Sequence, residues 1–282
     1  MKKLTVFLLI AVLALPSCIR EGKPPEPPTP TDTTATSATS VTPEEVTPSI
    51  YHSCDEKCDD YVTLSTLENP VCKNSTHLVI AYQTPTEQDI QTIATLTDLW
   101  SLAIAFAKVS DISALAPLTK LETLVLEGNN ITDISVLSNF PKLRHLELQE
   151  NLVSDISPIS SLTNLDFIVF NHNQITDISA LAGLENLEVI KLIDNQITDL
   201  SPLSELHKIT FLYLEKNQIT DVSPLENIPH LLWLTLDDNN ITDISPLCSL
   251  LYLETLDISK NNIAKEQIDH IIELMPYADI YF

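Results

Sequence analysis

Counted from Leu121, apolar residues occupy positions one, four, six, eleven, fourteen, seventeen and twenty: Leu121, Leu124, Leu126, Ile131, Ile134, Leu137 and Phe140. The pattern then begins again at Leu143 and continues with a period of 22 residues. Positions four and six alternate with outward residues, which predicts a short strand. The same two columns return as Leu146 and Leu148, Ile168 and Phe170, Ile190 and Leu192, Leu212 and Leu214, Leu234 and Leu236, and Leu256 and Ile258. Upstream, Leu102 and Ile104 keep the register, and Ile80 and Tyr82 occupy these columns one unit earlier. Downstream, KEQIDHIIELM predicts a short helix, followed by a last strand with Ala278 and Ile280 in the two columns. The pattern predicts about ten strands, Ile80 to Ile280, in one parallel sheet. A fixed period of this size means stacked units and a solenoid. Seven apolar side chains cannot offset the ordering of 22 backbones in a lone unit, so stacking decides the fold.

Polar columns run between the apolar ones. Asn129, Asn151, Asn173, Asn195, Asn217, Asn239 and Asn261 stand 22 residues apart. A side-chain amide carries donors and an acceptor, and it satisfies backbone groups turned inward where a strand bends into the next segment. An Asp four residues on caps the short helical turn that follows. Pro158, Pro202, Pro224 and Pro246 suit the first turn of such a segment. These columns are expected to be structural, not catalytic carboxylates or calcium ligands.

The first 50 residues follow different rules. Two lysines precede a twelve-residue apolar run, Leu4 to Leu15, too short to span a bilayer and suited to a signal peptide over residues 1–17. LPSC, ending at Cys18, resembles the lipobox of bacterial lipoproteins, through Leu15, Ser17 and Cys18. The resemblance implies lipidation of Cys18 and an exported, lipid-anchored chain. Ile19 where an Asp would favour inner-membrane retention implies the outer membrane or cell surface. Residues 18–50 are otherwise Pro, Thr, Ser and Glu, expected to be a disordered tether.

Residues 51–77 lack the repeat and contain Cys54, Cys58 and Cys72, which suits an N-terminal cap over the open hydrophobic end. Repeats are expected over 78–264 and a capping helix and strand over 265–282. Export permits a disulfide, Cys58–Cys72 or Cys54–Cys72. Cys248 is too far along the stack to reach the cap within one molecule. A zinc site at these cysteines lacks a recognisable spacing.

The formal net charge of -24, from 39 acidic and 15 basic residues, argues against nucleic acid and anionic lipid as partners. Membrane contact is expected only through the lipid on Cys18. Three glycines cannot build a phosphate-cradling loop. No cofactor is expected.

The unit LxxLxLxxNxITDISxLxxL over about residues 78–282 resembles the 22-residue leucine-rich repeat of bacterial internalins. The resemblance implies an α/β solenoid, a curved right-handed superhelix with the parallel sheet on its concave face and short 3₁₀ turns on its convex face. It also implies binding of protein partners through the concave face. Immunoglobulin-like modules and a wall-anchoring motif, which internalins often carry, are not recognisable, which argues against a host-invasion role.

On that fold, positions three, five, seven and eight project from the concave sheet. Phe167, Phe211 and Trp233 fall in the third column with His145, while Tyr213 lies beside them and Phe106 nearer the N-terminus. These six form a candidate anchor patch, since aromatic side chains dominate interfaces. Glu127, Glu147, Glu150, Asp194, Glu215, Asp237 and Asp238, with Lys191, Lys216 and Lys260, are expected to form a charged rim suited to a partner with a basic rim. A glycan is the alternative ligand, and an envelope structural protein that self-associates is the alternative role. Glu150, His172 and Asp194 fall in adjacent units and bring metal or acid–base chemistry to mind, but read better as solvated surface groups. The expectation is a binding protein without catalytic or metal site.

Overall fold

The computed structural model describes residues 49–53, 60–65 and 70–282, the first five by backbone alone. The signal segment, Cys18, the tether before Ser49, and Cys54 and Cys58 lie outside the described residues.

Eleven strands form the main sheet. Ten are parallel: β4 (His77–Ala81), β5 (Ser101–Ala105), β6 (Thr123–Val125), β7 (His145–Glu147), β8 (Phe167–Val169), β9 (Val189–Lys191), β10 (Phe211–Tyr213), β11 (Trp233–Thr235), β12 (Thr255–Asp257) and β13 (Asp279–Tyr281). Ahead of them β1 (Ser49–Ser53) pairs antiparallel with β4, a strand that straddles the tether and cap boundary expected at residue 50. Two short strands, β2 (Tyr61–Val62) and β3 (Val71–Cys72), form a separate antiparallel pair. Cys72 is buried and is not a free thiol, whereas Cys248 is free and burial raises its pKa.

From β5 to β12 each strand pairs with a neighbour 22 residues away, so Leu124, Leu146, Ile168, Ile190, Leu212, Leu234 and Leu256 form one row. Seven 3₁₀ turns among the described residues alternate with these strands, from Ser113–Leu115 to Ser245–Ser249. The seven apolar positions of the six units starting at Leu121, Leu143, Leu165, Leu187, Ile209 and Leu231 are at most 4% exposed and fill one continuous core.

Both end units depart from the expected register. Ile80 pairs with Ile104 and Leu78 with Leu102, so the inward columns are held by Leu78 and Ile80, not Ile80 and Tyr82. At the other end Leu256 pairs with Ile280, which takes the fourth column in place of Ala278. Each end unit is two residues longer because it carries an α-helix where inner units carry a 3₁₀ turn. These are α1 (Glu87–Ile93) and α2 (Lys265–Leu274). A capping box starts α1: Thr86 Oγ1 accepts from Asp89 N–H, and Thr86 N–H donates to Asp89 Oδ2. Asp89 also accepts from the Ser65 backbone, which ties the cap to the first unit. Neither helix, nor any other among the described residues, is long and apolar enough to cross a membrane.

The Asn column does what its chemistry predicts. Asn151 Oδ1 accepts from Ile131 N–H at 3.0 Å, and its Nδ2 donates to Leu126 O at 2.8 Å and Leu148 O at 3.1 Å. Each amide thereby joins its own unit to the one before. Asn129 serves two donors, Ala107 and Val109, in the unit that lacks its own Asn. At the far end Gln267 of α2 accepts from Ile244 N–H and donates to Thr242 O. The Asp column works through a shorter loop: Asp155 Oδ1 accepts from Ser157 N–H at 2.8 Å, and its neighbours repeat the contact. The backbone bonds from Ser113, Ser157, Ser179, Ser223 and Ser245, followed by the serine hydroxyls, hold Asp111, Asp155, Asp177, Asp221 and Asp243 below the usual carboxylate range.

Candidate partner-binding face

Alternation along each strand turns positions four and six into the core and three, five and seven onto the open concave face. In the third column Thr123, His145, Phe167, Val189, Phe211, Trp233 and Thr255 stand side by side on successive strands. All from Thr123 to Trp233 are half-buried. In the fifth column Glu147, Val169, Lys191, Tyr213 and Thr235 follow in the same way.

The rings fall into groups. His145 lies flat on Phe167, with centroids 4.2 Å apart and planes 6° apart. Tyr213 and Trp233 lie 6.3 Å apart at a 33° tilt. Lys191 joins the groups, its Nζ 5.8 Å from the Phe167 ring centre and 5.0 Å from that of Tyr213. Phe106 is not part of this cluster. It stacks on Tyr82 at 4.9 Å, at the N-terminal end of the eighth column. Its ring covers Gly128: a Cβ there would stand 2.2 Å from Phe106 Cδ1, and Gly128 has φ +65°. Position eight is left-handed along the stack, held elsewhere by Glu150, His172, Asp194, Lys216, Asp238 and Lys260.

Several charges expected at the rim lie at the centre instead. Glu127 is only 4% exposed. Glu147 Oε1 is 2.6 Å from His145 Nε2, and Gln149 Nε2 donates to Glu147 Oε2 at 3.1 Å. Burial pushes the Glu147 carboxyl up, but the hydrogen bond and charge of His145, then Gln149 and Lys191, outweigh it and hold its pKa below the usual value. Burial lowers the Lys191 pKa against the opposing pull of Glu147 and Glu215. Glu215 moves the other way, raised by burial and by the nearby charges of Asp237 and Asp257. Lys260, by contrast, is exposed and pairs with Asp237 at 3.2 Å. Gln149 and the central place of Lys191 were missed from sequence. The available signal was the two-residue alternation, which puts 147, 149 and 191 on the face of the aromatic column.

Of Glu150, His172 and Asp194, the last two meet, with His172 Nδ1 2.8 Å from Asp194 Oδ2. Both side chains are exposed, and among the described residues no three His, Cys, Asp or Glu side chains are arranged to hold a metal ion.

The sequence matches the leucine-rich-repeat family over residues 118–138, 141–183 and 185–227. Internalin C2 of Listeria monocytogenes is 33% identical, with a TM-score of 0.64, over 68% of this chain and 85% of that one. The chain belongs to the leucine-rich-repeat family. A second Listeria monocytogenes internalin, InlF, is 27% identical over 77% of this chain and 84% of its own, with a TM-score of 0.50. A leucine-rich-repeat protein of Leptospira interrogans shares the fold at 23% identity and a TM-score of 0.62, over 71% of this chain and 58% of that one. No curated protein matches significantly. The leucine-rich-repeat fold is typically a non-catalytic scaffold, and proteins built on it commonly bind protein partners.

Proposed function

We propose that this leucine-rich-repeat protein binds a protein partner through the concave sheet, without catalysis, while anchored in the cell envelope by a lipid on Cys18. One observation supports the binding reading above the others. The aromatic column of Phe167, Phe211 and Trp233 stays half-exposed on a sheet whose opposite face is fully buried. Stacking of units needs the inward columns and gains little from large rings on the open side, whereas such rings serve as anchors in interfaces. Charged groups flank them on both sides and suit a partner with basic residues around an apolar centre. The envelope reading rests on the apolar leader and LPSC, and the pairing of Cys72 with Cys54 or Cys58 on the oxidising compartment that export implies.

The test of binding is affinity capture on the parent chain and on the Phe211→Ala, Trp233→Ala double variant. The expected result is a protein retained by the parent and lost by the variant, with cooperative melting kept by both. Identical retention by the two chains overturns the reading. Labelled palmitate incorporated by the parent and not by Cys18→Ser tests the anchor.

A further inference from the structure

At one end of the aromatic column the concave face is chemically incomplete. Glu215 Oε2, Trp233 Nε1 and Thr235 Oγ1 are buried and lack a partner in hydrogen-bonding geometry. They belong to adjacent strands, since Phe211 pairs with Trp233 and Tyr213 with Thr235. Thr235 is only 7% exposed. Its hydroxyl lies near enough to Glu215 to lower the carboxyl pKa, without reaching hydrogen-bonding geometry. The Tyr213 and Trp233 rings stand beside this group, 6.3 Å apart.

The local charge is unbalanced as well. Glu215 feels Asp237 and Asp257, and its pKa is raised chiefly by burial. The cation near these acids, Lys260, is engaged by Asp237. Lys191 contacts the Tyr213 ring and is shared between Glu147 and Glu215. A half-buried carboxylate beside two aromatic rings is the setting that favours an arriving cation.

We propose that Tyr213, Glu215, Trp233 and Thr235 form a slot for one basic side chain, arginine or lysine, carried on an extended segment of a protein partner. This rests on the reading of the concave sheet as the binding face. The basic group donates to Glu215 and lies against the rings. The half-buried indole turns enough to donate its N–H to a main-chain carbonyl of the same segment, and Thr235 completes the set. One residue of an extended peptide thus supplies both the donors and the acceptor that the slot lacks. A neutral sugar leaves the Glu215 charge uncompensated, and an anion is repelled by three carboxylates. The chain's net charge of -24 adds long-range attraction for a basic partner.

The test uses the full chain and two small probes, acetyl-arginine amide and its neutral isostere acetyl-citrulline amide. Trp100 and Trp233 are the two tryptophans, so the indole N–H resonance of Trp233 is assigned by Trp100→Phe. Titration with arginine is expected to shift that resonance in the millimolar range, with about tenfold weaker response to citrulline. Glu215→Gln should abolish the difference and Tyr213→Leu should weaken the arginine response severalfold, while Glu185→Gln, an exposed acid away from the concave face, leaves it intact. Equal responses to both probes, no response to either, or an arginine preference that survives Glu215→Gln overturns the slot. Partner capture that depends on Phe211 and Trp233 but is indifferent to Glu215→Gln removes the slot and keeps the binding face. An arginine-selective shift without such capture does the reverse.

Discussion

The half-buried Lys191 has its ammonium 5.0 Å from the centre of the Tyr213 ring and feels the charges of both Glu147 and Glu215. Burial outweighs the pull of both acids, since the Lys191 pKa is lowered in the folded chain. Lys191→Met keeps the stem and removes a charge that burial disfavours. The variant is expected to be at least as stable as the parent at pH 7, read as a urea midpoint that does not fall, with unchanged slope. A lower midpoint shows that the two acids and the ring contact outweigh the cost of burying the ammonium.

Glu147 and Glu215 should leave opposite marks on stability against pH. The pKa of Glu147 is lowered in the folded chain, so its contribution is present above its unfolded value and is lost as pH falls through the folded one. The pKa of Glu215 is raised, so its contribution is present below the unfolded value and is lost as pH rises through the folded one. At neutral pH the ionised Glu215 therefore opposes folding. Glu215→Gln is expected to melt higher than the parent at pH 7, with the gap closing toward pH 4, near the ordinary carboxylate value of about 4.3. Melting curves at the two pH values decide it, and a gap that widens on acidification contradicts the assignment.

Asn195 is 7% exposed; it accepts from Ile175 N–H and donates to Phe170 O and Leu192 O. Asn195→Ala strands these backbone groups inside the stack. The expected cost is about 3 kcal/mol in equilibrium unfolding, from buried groups losing partners at roughly 1–3 kcal/mol each. Asp177→Ala, on an exposed turn two residues from Ser179, should cost far less.

Gly128 is paired to Phe106 by space, not by bonding. A methyl at Gly128 drives the ring away from its stack on Tyr82. Gly128→Ala is expected to destabilise the parent, and to do so by about 1–2 kcal/mol less when Phe106 is already Ala. Equal costs in the two backgrounds assign the whole effect to backbone conformation.

The inner units were legible because seven inward positions and an Asn leave one way to stack. The end units were not, because a 22-residue ruler carries no sign that α1 and α2 add two residues, and so it misplaced Tyr82 and Ala278. On the open face, alternation showed which side a residue takes but not how deep it sits. Glu147 and Lys191 looked like rim charges until their neighbours were seen to cover them. Phe106 shared aromatic character with the others but stands in another column, three units before Phe167.

Each Asn completes the turn of the unit that precedes it, as Asn151 does for Ile131 and Asn173 for Val153; Asn261 closes the series at Ile241, and Gln267 of α2 adds a bond of its own at Ile244. The stack therefore has a direction in time as well as in space. A ribosome delivers the N-terminal units first, and each waits for the amide of its successor before its own backbone is satisfied. Consolidation trails the growing end by one unit, and the last lock arrives only with α2.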